Sequence, residues 1–292
     1  MSHALERIRQ IMDCIVSEKV FPLVAASSQI EQATQCLGDE LSRNIHDREL
    51  SFLILRQIIG DAAAYGFAGG LGAEEWKSAL RTARESLADG RIPSLETPIA
   101  SGSAALAGLY ASVFVMNAAA LSEAAPREGD VMLDIGARYG ETSVWALGRG
   151  VAEVRAFEAD RKAFGFLCRN AEHLGRGRIM AENALPADRD GALPPEDGGK
   201  KKIPLVRMDD WCEERQVRPG FIRVDLAGGA LAAIVGAQRV IRTQKPRMAV
   251  NVSHALGDMW NVPLALKQLV PEYRLACRAS APAGGVMLYA AV

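Results

Sequence analysis

The sequence lacks the features that mark many protein classes. Its five cysteines, Cys14, Cys36, Cys168, Cys212 and Cys277, are odd in number, scattered and never paired as C-x-x-C. That pattern argues against a disulfide framework and a zinc ribbon and points to a reducing, cytoplasmic compartment. Neither sign of charge is in excess, with 34 Lys and Arg facing 35 Asp and Glu over 292 residues, so a basic surface that coats nucleic acid is not expected. Aromatic residues are only 6% and are not interleaved with Lys or Arg, which removes base stacking as a function. The four histidines, His3, His46, His173 and His254, have no H-x-x-x-H spacing, so no metal is expected. A G-x-S-x-G elbow and an N-P-P-Y loop are both missing. The opening stretch carries Glu6, Arg7, Arg9 and Asp13 where a secretory leader needs an unbroken apolar run.

What remains is ordinary globular usage, 49% hydrophobic and 24% charged, enough for a full core. One uncharged run, Ala104 to Leu121, approaches the roughly 20 residues that span a bilayer. It is dominated by alanine, contains Ser112 and Asn117 and has no flanking basic cluster, so it reads as a helix buried between neighbours and not as a membrane span. Residues 1–125 show helical spacing, with one stripe at Leu5, Ile8, Ile11, Met12, Ile15 and Val16 and another at Trp76, Leu80, Ala83 and Leu87. The glycines Gly66, Gly69, Gly70 and Gly72 separate them. This half is expected to be a helical cap or oligomerisation unit, which leaves a homodimer open. Residues 126–292 alternate short apolar runs with helical segments: VMLDIG, VRAFE, RIMAEN, PLVRM, FIRVD, RMAVNV, YRLAC and VMLYAAV, with helices over 160–174, 229–242 and 260–269. That alternation implies an α/β, doubly wound, mostly parallel sheet. The stretch from Pro186 to Lys202 reads as an exposed insertion.

The most informative segment is VMLDIGARYGETSVWAL. An apolar strand ends at Asp134 and passes through Gly136, Ala137 and Gly140 into a helix. Free backbone N–H groups and the positive helix end at such a bend attract an anionic group, although a glycine turn of this kind also serves tight packing alone. Glu158 closes the second strand, where a carboxylate can accept from both hydroxyls of a ribose or stand simply solvated. Without G-x-G-x-x-G the turn suits an adenosine with an amino-acid tail better than a dinucleotide. That description fits S-adenosylmethionine, with its α-carboxylate over the bend and its α-ammonium near Asp134. Asn183, ending the third strand, suits either the adenine edge or a turn.

The runs DIGARYGETS, AFEADRKAFGFLCRNAEHL, ALPADRDG, MDDW, FIRVDLAGGALAAIVGAQRVIRTQKPRMAV and VPEYRL resemble, in order and spacing, the FkbM-type S-adenosylmethionine-dependent methyltransferases. The resemblance covers roughly Gly129 to the end and implies a Rossmann-like class I methyltransferase domain, with a seven-stranded sheet and a reversed last hairpin. It also implies methylation of hydroxyls on sugars, polyketides or similar small molecules. Matched position by position, Asp134, Gly136 and Gly140 fall on the family's cofactor loop, Glu158 on its ribose acid and Asp225 on the aspartate ending its fourth strand. The chain departs where the family reads K-x-D-x-E-G-x-E: RVDLAGGA puts Ala227 and Ala230 in place of two carboxylates, and Ser253 stands where a tyrosine is usual.

Methyl transfer to an alcohol needs positioning and one base. His254, after the fifth strand, suits that role because imidazole titrates near neutral pH, and equally suits a structural one. Asp225 could orient His254 or the acceptor, or cap the following helix. Asp209 and Asp210 are expected to cap the helix at Trp211, and Arg239, Arg242, Lys245 and Arg247 to form a solvated helix end. A degenerate relative acting as a binding subunit, and N-methylation, are the competing readings.

Overall fold

A computed structural model of the chain describes residues 21–59, 72–194, 202–281 and 285–292. The stripe from Leu5 to Val16, the glycines from Gly66 to Gly70 and residues 195–201 of the insertion lie outside the described residues.

Helices come first: α1 (Phe21–Ala25), α2 (Ser27–Gln35), α3 (Glu40–Ile59), α4 (Ala73–Ala88) and α5 (Ala104–Tyr110). On α4 the expected stripe faces inward, with Ala83 buried and Trp76, Leu80 and Leu87 packed against the core. The uncharged run folds as α5, capped by Ser103 Oγ accepting from Leu106 N, and then as a single π-helical turn over Ala111–Val115. Among the described residues no helix is long and apolar enough to cross a membrane.

The α/β part runs β1 (Val131–Ile135), α6 (Glu141–Gly148), β2 (Glu153–Phe157), α7 (Arg161–Leu174), β3 (Ile179–Glu182), β4 (Leu185–Pro186), β5 (Gly191–Leu193), β6 (Ile203–Val206), α8 (Met208–Glu214), β7 (Phe221–Val224), α9 (Ala230–Gly236), α10 (Gln238–Gln244), β8 (Arg247–Asn251), α11 (Asp258–Leu269), β9 (Arg274–Ala279) and β10 (Val286–Ala291). The main sheet has seven strands in the order β3-β2-β1-β7-β8-β10-β9. The first five are mutually parallel, and β10 runs antiparallel to both of its neighbours. The central strands are buried, as expected of a sheet covered by helices on both faces. From β1 the chain winds outward to β3, then returns to start β7 on the other side of β1. The order therefore reverses between β1 and β7, and a crevice opens beyond their carboxyl ends.

The hydrophobic core forms one cluster on each side of the sheet, and each joins N-terminal helical residues to strand residues. Leu37, Leu50, Phe52 and Leu53 pack with Ile222 and Leu275, while Ala79, Ala83 and Tyr110 pack with Met132 and Phe221. Packing thus runs across the boundary placed at residues 125 and 126. Leu37 also bridges to Leu275, and Gly38 N donates to Leu275 O, which covers the exposed edge of β9.

Four local expectations are corrected. The run PLVRM supplies β6 of a separate three-stranded sheet, β4-β6-β5, so it adds no strand to the main one. The helix expected over 229–242 breaks into α9 and α10 at Ala237, whose φ of −109° and ψ of 12° leave helical geometry, next to Gly236, which lies against the Ala187 carbonyl where a Cβ would collide. Asp209 does not cap its own helix: Oδ2 accepts from Arg239 N and Oδ1 from Val240 N at 2.9 Å each, closing the start of α10. Arg247 is no helix-end cation; it opens β8 and pairs with Asp130 at 2.7 Å.

Candidate active site

The bend between β1 and α6 is built by conformation and crowding. Gly136 sits at φ +83°, and a Cβ there would strike the Asp225 carbonyl, so only glycine lets β1 and β7 close beneath the crevice. Gly140, at φ +87°, precedes α6, and a Cβ on it would lie 2.9 Å from Leu167 Cδ1. Gly136 N and Ala137 N both donate to Phe157 O, at 3.0 and 2.9 Å, and so tie the bend to the end of β2. Ala137 and Gly140 shape this bend from beneath and do not line the crevice.

Asp134 lies under the bend, 0% exposed. Its Oδ2 accepts from Ser143 Oγ at 2.6 Å and its Oδ1 from Arg223 Nη1 at 2.8 Å. Asp134 and Arg223 are register partners across β1 and β7, so the pair follows from strand alignment. A carboxylate sealed in this way is not presented to the crevice, in contrast to the ammonium contact expected of it.

Glu158 stands at the mouth of the same bend. Its Oε2 accepts from Arg138 N at 2.8 Å and its Oε1 from Asp160 N at 2.7 Å. The Ala159 N–H also bonds this carboxylate, and acceptor capacity remains beyond these three donors. Burial pushes its carboxyl up from the ordinary value, against the lowering effect of those N–H groups. Asn183 turns inward, its Nδ2 donating to Glu158 O at 2.8 Å and Ala159 O at 3.2 Å, so its role is to fasten the backbone that carries Glu158.

Across the crevice, Asp225 at the end of β7 is gripped from both sides. Arg223 Nη2 donates to its Oδ2, while Asn251 Nδ2 at 3.0 Å and His254 Nε2 at 2.7 Å meet its Oδ1. Burial works to raise this carboxyl, but the charge of Arg223, the bond from His254 and the bond from Asn251 outweigh it and hold it at about 2. Ser253 donates through both N and Oγ to Asn251 Oδ1, which fixes the turn presenting His254.

These residues meet in one cavity of about 410 Å³. Gly136, Glu158, Asp225 and His254 are on its wall, and the π-helical turn contributes Ser112 and Val113 to it. A second cavity of about 450 Å³ adjoins it through Glu158 and Ala227, lined by Leu185, Leu193, Pro194, Ile203 and Leu226. Sequence reasoning missed Arg138, Arg223 and Asn251, and also Glu141, which lines the first cavity although it is only 4% exposed. The signal for Glu141 was its place directly after Gly140, as first residue of the helix that follows the bend. Among the described residues, no group of three or more His, Cys, Asp or Glu is placed to hold a metal.

No protein-family model matches the chain, and neither does any curated protein. Solved structures do. Methyltransferase FkbM from Methylobacillus flagellatus KT aligns over 92% of this chain with a TM-score of 0.61 and 19% identity. The chain spans 60% of the length of that protein. A precorrin-6y C5,15-methyltransferase from Geobacter metallireducens GS-15 aligns over 69% of this chain and 93% of its own, with a TM-score of 0.40 and 15% identity. An O-methyltransferase from Bacillus cereus in complex with SAH aligns over 74% and 91%, with a TM-score of 0.40 and 13% identity. The M. flagellatus alignment, together with the strand order and the reversed β10, shows that the chain has the α/β fold of the class I methyltransferases.

Proposed function

We propose that the chain binds S-adenosylmethionine at the β1–β7 crevice and methylates a hydroxyl of a small molecule such as a sugar or polyketide. The observation that carries this reading is that Glu158 and the His254–Asp225 pair, from strands on opposite sides of the bend, face one cavity. The cofactor fits the residues present. Glu158 retains acceptor positions for a ribose diol, the adjoining apolar cavity suits an adenine ring, and the glycine cradle under Gly136 leaves no room for a side chain. The likeness to the M. flagellatus methyltransferase supports the same choice.

When bound, S-adenosylmethionine supplies an electrophilic methyl group on a sulfonium. The chain's residues then have three tasks. Asp225 accepts from His254 Nε2, which sets the tautomer so that Nδ1 is the acceptor of the hydroxyl proton, and its negative charge stabilises the resulting imidazolium. Arg223 and Asn251 keep Asp225 from rotating away. The π-helical turn roofs the cavity and limits water around the proton-transfer site.

Titration calorimetry with S-adenosylmethionine and S-adenosylhomocysteine tests the reading. Both should bind, and Glu158→Ala should weaken both. Absence of heat with either ligand removes the proposal. A second reading, a binding subunit without turnover, is favoured by Ala227 and Ala230, which leave no carboxylate at either place. Cofactor binding with no labelled methyl passed to any hydroxylated metabolite would select it, whereas transfer that survives His254→Ala would indicate an amine acceptor.

A further inference from the structure

The carboxylate at the end of β1 is not free to meet a cation. Asp134 is 0% exposed, and its two oxygens are taken by Ser143 and Arg223 at 2.6 and 2.8 Å. Yet the amino-acid tail of the proposed cofactor ends in an ammonium, and a buried cation without an anionic partner is costly. The wall beside the bend offers another anion. Glu141 opens α6, and Tyr139 N donates to its Oε2 at 3.1 Å, which folds the carboxylate back over the bend, and Glu141 is one of the residues lining the cavity. Three residues earlier Arg138 lines the same cavity, held in the left-handed region at φ +54° with its guanidinium 4.8 Å from the centre of the Tyr139 ring. The bend thus contributes one acidic and one basic residue to the lining of the same cavity, the pairing that complements a zwitterion.

We infer that Glu141 is the group that recognises the α-ammonium of the cofactor's amino-acid tail, with Arg138 beside it for the α-carboxylate. The inference rests on the S-adenosylmethionine reading above and replaces the partner expected at Asp134. Burial also pushes the Glu141 carboxyl up to about 7, against the lowering effect of its own backbone N–H, Arg223 and Arg138. A cation placed there would relieve that penalty.

A merely structural role is separable, because Glu141→Gln retains an oxygen to accept from Tyr139 N while losing the charge. Calorimetry at pH 8 on the full chain would use three probes: S-adenosylhomocysteine, its deaminated analogue that keeps the carboxylate, and 5′-methylthioadenosine, which lacks the tail. Glu141→Gln should weaken S-adenosylhomocysteine about 10- to 100-fold, the range of a lost charge-assisted bond. It should leave the other two unchanged. An equal loss for all three, or no loss for any, overturns the assignment while the cofactor reading stands. If the wild-type chain binds none of the three, both fall together. Thermal melting of the Gln variant verifies folding, and Arg138→Ala supplies an independent check, since it should weaken the two tail-bearing probes and spare 5′-methylthioadenosine.

Discussion

Nε2 of His254 lies 2.7 Å from Oδ1 of Asp225, and the opposite oxygen of that carboxylate is held by Arg223 from the same strand. The second grip fixes the first. Asp225 cannot rotate towards another partner without giving up its bonds from Arg223 and Asn251, so the imidazole is oriented by a rigid support. Arg223 is itself placed by register, because it lies beside Asp134 where β7 pairs with β1. The geometry at the mouth of the crevice is therefore anchored in the middle of the sheet.

His254→Ala should lower methyl transfer to a hydroxyl acceptor by about 10²- to 10⁴-fold, the usual contribution of a general base. Affinity for S-adenosylhomocysteine should be unchanged, because the imidazole's assigned partners are Asp225 and the acceptor hydroxyl and not the cofactor. Labelled-methyl assays and calorimetry on the same preparation measure both. Full turnover of an alcohol by the variant would remove His254 from the chemistry.

The Asp225 carboxyl is held at about 2, below the ordinary 3.8, because Arg223, His254 and Asn251 outweigh the effect of burial. A lowered value means that its share of stability is present above pH 3.8 and is lost as pH falls from there through about 2. Asp225→Asn should therefore be less stable than wild type at pH 6, with the gap shrinking by about 2 kcal/mol over that window. Urea midpoints from pH 5 down to 2.5 would show it. A gap independent of pH would mean that the pairing contributes nothing.

Gly136→Ala adds a methyl where the Asp225 carbonyl already sits, in a left-handed backbone. It should cost about 3 kcal/mol or more, as strain and overlap combine. Gly177→Ala is the control, with φ +72° and nothing within 4 Å of the added carbon. There only the left-handed conformation is penalised, at roughly 1–2 kcal/mol. Equal losses in urea unfolding would show that the close approach of β1 and β7 is not what demands glycine at 136.

The main sheet was legible because its strands are short apolar runs that, up to the last two, mostly alternate with helices, and the bend because glycines cluster after VMLDI. What could not be read depends on contacts between distant segments. PLVRM looks like any other buried run, and only its neighbours Leu185–Pro186 and Gly191–Leu193 assign it to a second sheet. Gln238–Gln244 begins where Gly236 meets Ala187 and where Asp209 supplies the cap, both far away in sequence. Asp134 carries the spacing of a ligand-binding acid, yet the arginine that seals it comes from position 223, 89 residues on, and is specified only by the pairing of β1 with β7. Glu141 escaped for the reverse reason: its place directly after Gly140 is a local signal, but a glutamate at the start of a helix is commonplace, and its burial depends on residues distant in sequence.

Glu141 supplies a further prediction that does not depend on ligand. Burial raises its carboxyl from 4.5 to about 7, with Arg223 and Arg138 only partly offsetting the effect and Asp134 adding to it. A raised value means that the stability contributed by the protonated form is fully present below pH 4.5 and is lost as pH rises through about 7. Above that, the ionised residue costs on the order of 3 kcal/mol relative to its unfolded state. Glutamine imitates the protonated acid at every pH and keeps the acceptor for Tyr139 N. Glu141→Gln should therefore melt several degrees higher than wild type at pH 8 and no higher at pH 4.5. Saturating S-adenosylhomocysteine should narrow the difference at pH 8, since its ammonium would compensate the charge in the wild type only. Differential scanning calorimetry of both proteins at both pH values provides the measurement. An identical melting difference at pH 4.5 and pH 8 would mean that Glu141 is already compensated in the free protein and has no unmet charge to offer a ligand.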